Sequence, residues 1–181
     1  EVELDAWQQE VIDCNERYIC LCKGRQIGGT FTFARKAALR LLKQPNARII
    51  VLSLTEDQAQ TVIVMVLDYL LAHHKAQICT GMKRPTKSTI QLTNGSIIRS
   101  RPTGDTGDGA RGFTGDVLYL NECSRMNELV FEAAKPILLT TGGEIWMDST
   151  PFGKYTKDRT KFNYFYKAFL NKNSKWKVFY K

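Results

Sequence analysis

The strongest constraint on the fold is a change of hydrophobic period early in the chain. Tyr18-Ile-Cys-Leu-Cys22 is a short apolar run, Lys23-Gly-Arg-Gln-Ile-Gly-Gly-Thr30 is a glycine-rich turn, and Phe31 to Leu42 carries apolar residues at helical spacing and stops near Pro45. Strand, loop and helix in immediate succession make a first unit. Arg48 to Leu54 is a second buried strand, and Glu56 to Ala72 a second helix whose start, Thr55-Glu-Asp-Gln58, has the shape of a capping box. Val117-Leu-Tyr-Leu120 and Glu144-Ile-Trp-Met-Asp-Ser-Thr150 are further apolar strands. Tyr155 to Leu170 reads as a helix and Trp176 to Tyr180 as a closing strand. This alternation predicts an α/β fold with a mostly parallel central sheet flanked by helices. One stretch departs from it: Asn94-Gly95 sits between two alternating runs over residues 88–100, the signature of an antiparallel hairpin. Thr103 to Thr114 packs four glycines and two aspartates around Arg111 and reads as a mobile loop.

The composition fits one globular domain over residues 1–181: 43% of residues are hydrophobic and 24% charged, which excludes collagenous and wholly disordered chains. The apolar runs are too short and too interrupted to cross a bilayer. Five cysteines, without a CxxC pair and with only His73 and His74 beside them, argue for buried free thiols rather than zinc or disulfides. Lys and Arg number 26 against 18 Asp and Glu, and the whole surplus lies after residue 153. That segment also holds nine of the 19 aromatics. A neutral body with a basic, aromatic end suggests a polyanionic partner. The expectation is that about half of those aromatics pack against the sheet while the lysines form one solvated face.

Polar residues gather at three strand ends, and ligands of open parallel sheets bind beyond the carboxyl ends of the strands. A phosphate loop needs glycines for backbone approach, a lysine for charge and a hydroxyl for Mg²⁺. Gly28-Gly29-Thr30 has the glycine and the hydroxyl, but Gly29 stands where the lysine is expected, and Lys23 sits at the first position of the loop instead. This is the arrangement of a deviant Walker A loop. The second strand end, Leu118-Tyr-Leu-Asn-Glu122, delivers a carboxylate in the manner of a Walker B strand, with Asn121 where a Mg²⁺-orienting Asp is usual. The third is Asp148-Ser-Thr-Pro151.

Together these pieces resemble the ATPase domain of large terminase subunits, the DNA-packaging motors of tailed bacteriophages. Leu4-Asp-Ala-Trp-Gln8 is similar to the family's adenine-sensing segment, Gly24 to Thr30 to its phosphate loop, and Ser53 to Ala59 to the motif after the second strand. The Asn94-Gly95 hairpin, Ala110-Arg-Gly112, Leu118 to Glu122 and Ser149-Thr-Pro-Phe-Gly153 follow in the family's order. The resemblance implies a RecA-like additional-strand (ASCE) P-loop ATPase using ATP and Mg²⁺. It implies that Gln8 contacts adenine, that Lys23 neutralises the β and γ phosphates, and that Gly24, Arg25, Gln26, Gly28 and Gly29 line the phosphates. Thr30 and Asn121 would hold Mg²⁺, Glu122 would polarise the attacking water, and Arg111 would reach a neighbouring subunit's site. Ser149 and Thr150 would couple loss of the γ-phosphate to movement. Arg99 and Arg101 are DNA-phosphate candidates, although a solvated face describes them better. Implied partners are double-stranded DNA, neighbouring copies in a ring, the portal protein and the small terminase subunit, in the cytoplasm of an infected or lysogenic bacterial host. The family's C-terminal nuclease is expected to be absent from this chain. Two other readings stay open, an ATP-regulated DNA-binding or assembly module with little hydrolysis and a helicase-like ATPase fragment.

Overall fold

The computed structural model describes residues 3–104, 111–139, 141–156 and 158–181. In chain order the elements are α1 (Ala6–Asp13), β1 (Tyr18–Cys22), α2 (Gly29–Lys43), β2 (Arg48–Ser53), α3 (Glu56–His73), β3 (Thr89–Gln91), β4 (Ile97–Pro102), β5 (Val117–Asn121), α4 (Glu128–Ala134), β6 (Glu144–Ser149), α5 (Tyr164–Leu170) and β7 (Lys177–Tyr180). The strands form one seven-stranded sheet in the order β3-β4-β2-β5-β6-β1-β7. Every pairing is parallel except β3 with β4.

Strand residues alternate between the two faces, so one period-2 pattern sorts the core into two layers. Ile19, Leu21, Ile49, Val51, Val117, Tyr119 and Trp146 join residues of α1, α2 and α3, such as Val11, Phe33 and Val62, in the first. Cys20, Cys22, Ile50, Leu52, Leu118, Leu120 and Met147 join α4 and α5 residues, including Phe131 and Phe165, in the second. Each fully buried large side chain contributes about 1.5–3 kcal/mol. With both faces covered, the inner strands read as nearly unbroken apolar runs. Phe33 ties the first layer together by stacking on Tyr119 at 5.0 Å and lying 6.1 Å from Trp146.

Helix starts follow their local chemistry. Thr55 accepts a hydrogen bond from the Gln58 amide at 3.3 Å, capping α3, and a capping box joins Asp5 and Gln8 at α1. The hairpin is present, with β4 pairing antiparallel to β3 on one side and parallel to β2 on the other. The helix expected from Tyr155 is shorter than its pattern suggests: α5 begins only at Tyr164, where Asn163 accepts from the Tyr166 amide at 2.8 Å. Before it, Tyr155 bridges antiparallel to Phe162. Asp158 accepts from the Thr160 amide at 3.1 Å, and Arg159 takes a positive φ, both incompatible with a helix. Of the loop around Arg111, residues 105–110 lie outside the described ones. All five cysteines are free thiols. In the closing segment, Phe165 and Phe179 are buried and every described Lys and Arg is exposed. Among the described residues no helix is long and apolar enough to cross a membrane.

Lys36, on α2, fixes the end of α1 against that helix. Its buried ammonium donates to the carbonyls of Ile12, at 2.8 Å, and Cys14, where α1 ends with unsatisfied acceptors. Burial pulls this ammonium down to about 8 from its ordinary 10.5. Between those values the unfolded chain binds more protons than the folded one, so stability from this site rises with pH. In urea melts, wild type should gain on Lys36→Met as pH climbs from about 8 toward 10.5. A gap that stays constant or narrows over that range argues against the assignment.

Candidate functional site

The face-sorting of the strands also gathers the polar residues. Lys23 continues β1 in the parity of Ile19 and Leu21, Asn121 shares the parity of Tyr119, and Asp148 that of Trp146. All three side chains therefore emerge on the face covered by α2. The register makes Asn121 and Asp148 direct neighbours on β5 and β6, with Leu21 beside Asp148 on β1. Lys23 is only 6% exposed. Its ammonium pairs with Glu122 Oε1 and lies 3.5 Å from Asp148 Oδ2, which is fully buried. Burial by itself lowers the lysine; Asp148 and then Glu122 outweigh it, so the net shift is upward. Burial raises Asp148, opposed by Lys23.

A continuous polar chain crosses the strand ends. Asn121 Nδ2 lies 3.0 Å from Asp148 Oδ1, 3.1 Å from the Tyr119 hydroxyl and 3.1 Å from Thr30 Oγ1. Tyr119 donates to Asp148 Oδ1 at 2.8 Å, and Ser53 to Asn121 Oδ1 at 3.3 Å. Glu122 ends β5 in the left-handed region, with φ 52° and ψ 43°. For a glutamate that costs of order 1–3 kcal/mol, which the surrounding contacts must hold. Its Oε2 accepts from the Thr150 amide at 3.2 Å and lies 3.4 Å from Ser149 Oγ. Ser149 Oγ is also 2.8 Å from Ser124 Oγ, which donates to the Thr150 carbonyl at 2.7 Å. Ser149 and Thr150 are thus bonded directly to the carboxylate at the end of β5.

The loop explains its own unusual lysine. A Cβ added at Gly29 would lie 2.2 Å from Lys23 Cδ and 2.8 Å from its Cε, so the aliphatic stem of Lys23 occupies the space a side chain at 29 would need. Gly29 is the counterpart of Lys23. Gly28, at φ 83°, ends the turn in the left-handed region and precedes α2 without any side-chain cap. The first turn of α2 has no acidic residue, so its amide N–H groups and positive dipole end are left for an anion. Gly24, Arg25 and Gln26 form the exposed rim of the loop. Gln8 is not an exposed helix amide: it is buried, bonds to Thr32 Oγ1 at 3.2 Å, and closes the loop from behind at Gly28.

Other sequence candidates lie farther out. Arg111 is exposed, two residues before Phe113, whose ring lies 5.5 Å from the Arg101 guanidinium at the carboxyl end of β4. Ala110 lies outside the described residues. Arg99 and Arg101 are exposed on β4. Sequence reasoning gave no role to Tyr119, Ser124 or Asp148. The available signal was an aspartate inside an otherwise apolar strand, Trp146-Met-Asp148.

The family model for the N-terminal part of the large terminase subunit, T4likevirus-type, matches residues 20–178. The chain belongs to that family. No curated protein matches it. The ATPase domain of the Thermus phage P74-26 large terminase superposes with a TM-score of 0.79 at 20% identity, covering 98% of this chain and 80% of that one. A large terminase from a thermophilic bacteriophage, solved with ADP, gives 0.78 at 13% identity over 98% of this chain and 45% of its own. The phi-28 gp11 DNA packaging motor gives 0.54 at 13% identity over 96% and 58%. At these identities the likeness concerns the fold, a large-terminase ATPase domain of RecA-like architecture, and the chain spans less than half of the ADP-bound relative.

The packing of Lys23 on Gly29 predicts a non-additive pair. Gly29→Ala should destabilise the domain by about 1–3 kcal/mol through overpacking. In a Lys23→Ala background most of that penalty should vanish, because the clashing stem is gone. Urea titration of the four proteins checks it, and equal penalties in both backgrounds would contradict the contact.

Proposed function

We propose that this terminase chain binds ATP with Mg²⁺ and hydrolyses it to drive double-stranded DNA into a procapsid, working in a ring of copies. The observation that carries the reading is the convergence of Lys23, Glu122, the Ser149 hydroxyl and the Thr150 amide in one bonded group at the carboxyl ends of β1, β5 and β6. The uncapped start of α2 is a fitting cradle for phosphate oxygens. Thr30 Oγ1, half-exposed and held by a hydrogen bond from Asn121 Nδ2, offers a hydroxyl that suits an ion keeping most of its waters. Mg²⁺, when bound, neutralises phosphate charge; the other work falls to side chains of the chain.

Lys23 carries the fixed positive charge. With no phosphate present it is satisfied by Glu122 and Asp148, and an arriving anion competes with Glu122 for it. Glu122, once loosened from the lysine, orients a water and takes its proton. Because its other oxygen is held by Thr150 N–H, any shift of Glu122 is felt at the end of β6, which gives Ser149 and Thr150 their coupling role. Gln8 braces the loop near adenine. Arg111 serves as the finger for a neighbour, an interaction worth about 10³–10⁵ in rate where it operates. The exposed lysines of the closing segment, together with Arg99 and Arg101, offer the basic surface a DNA track requires. Portal protein and small terminase subunit are the further partners.

ATP turnover with and without double-stranded DNA tests the reading. Lys23→Ala should abolish turnover, and Glu122→Gln should lower kcat by about 10²–10⁴ while nucleotide still binds. Turnover indifferent to both substitutions would falsify it; nucleotide binding without turnover in wild type would leave a regulated binding module instead. Mixing Arg111→Ala with Glu122→Gln chains should restore activity, because one donates an intact arginine and the other an intact carboxylate. No rescue at any ratio removes the finger from Arg111.

A further inference from the structure

Asp148 is a fully buried carboxylate on β6. Its Oδ1 receives the Tyr119 hydroxyl at 2.8 Å and the Asn121 amide at 3.0 Å, while its Oδ2 makes no hydrogen bond and faces the Lys23 ammonium at 3.5 Å. Burying a carboxylate is costly unless it is paired, so a position that only filled space in β6 would be apolar like Trp146 and Met147. Asn121 is the complementary oddity. A Mg²⁺ site built on a phosphate-loop hydroxyl ordinarily has an aspartate there, and here it has a neutral amide.

The two anomalies touch. Asn121 and Asp148 are register partners on adjacent parallel strands, with their side chains on the same face. The carboxylate can only accept, and this fixes the amide with Nδ2 toward Asp148 and Thr30 and Oδ1 toward Ser53. An aspartate at 121 would bring a second carboxylate within about 3 Å of the first, and two such groups do not both ionise. One negative charge fits in this pair of positions, and the chain carries it on β6.

We propose that Asp148 supplies, from the neighbouring strand, the buried negative charge that position 121 lacks, and that it acts through Asn121 and Lys23 as a positioning residue for Mg²⁺-bound nucleotide. This rests on the ATP-binding reading above. The bland alternative is a structural counter-ion for Lys23 alone, and the two differ in whether the metal feels the loss.

The test is the affinity for a fluorescent ADP analogue, measured with Mg²⁺ and with EDTA, in wild type, Asp148→Asn, Asn121→Asp and the exchange Asn121→Asp/Asp148→Asn, together with Mn²⁺ binding followed by electron paramagnetic resonance. Removing an outer partner of a metal site costs about 10–100-fold in metal affinity. Asp148→Asn should therefore lose most of the strengthening that Mg²⁺ gives, and the exchange variant, with the charge returned on β5, should recover it. Asn121→Asp alone should melt earlier than wild type and bind Mn²⁺ no better. Equal weakening of Asp148→Asn with Mg²⁺ and with EDTA overturns the proposal, as does a folded exchange variant that stays defective. If Asp148→Asn does not fold, the exchange variant decides by the same criterion. A wild type whose nucleotide affinity ignores Mg²⁺ sinks the ATP-binding reading itself, an outcome distinct from the others.

Discussion

The buried ammonium of Lys23 is the interaction on which the rest of the site depends. A cation that is 6% exposed must be paired, and its partners come from the ends of two other strands, Glu122 after β5 and Asp148 on β6. Satisfying it requires β1, β5 and β6 to lie side by side in a fixed register, and it leaves room for no side chain at Gly29. Glu122 meets Lys23 from a backbone in the left-handed region, just after β5 ends. The sequence of the loop and the contacts at these strand ends thus answer to one charge.

Lys23 and the end of β6 meet on one carboxylate. Glu122 is held by Lys23 on one oxygen and by Thr150 N–H on the other, so the state of the lysine reaches the end of β6 through a single carboxylate. In the proposed function this link is the shortest route from the lysine to Ser149 and Thr150, one side chain long.

Much of this is legible in the sequence. The parallel sheet, the hairpin at Asn94-Gly95, the loop from Lys23 to Thr30 and the carboxylate of Glu122 all follow from period, turn chemistry and strand ends. The misread helix before Tyr164 shows the limit. Aromatic residues at helical spacing suggested one element from Tyr155, but Asp158 and Arg159 have local backbone preferences that break it, and a hydrophobic pattern does not register these. Gln8 shows another limit. Its segment was recognisable, yet its burial and its bond to Thr32 depend on how α1 packs against α2.

The sequence by itself determined which polar residues stand at strand ends, because the apolar runs of β1, β5 and β6 stop at Lys23, at Asn121 and Glu122, and at Asp148 and Ser149. It also presented the two departures, glycine at 29 and asparagine at 121, as gaps in a motif. Only the tertiary structure decided what fills them. The stem of Lys23 lies across Gly29, and Asp148 stands beside Asn121, because a parallel register brings together residues 27 positions apart in the chain. Strand order is set by the burial of both sheet faces, a global quantity that no local spacing encodes.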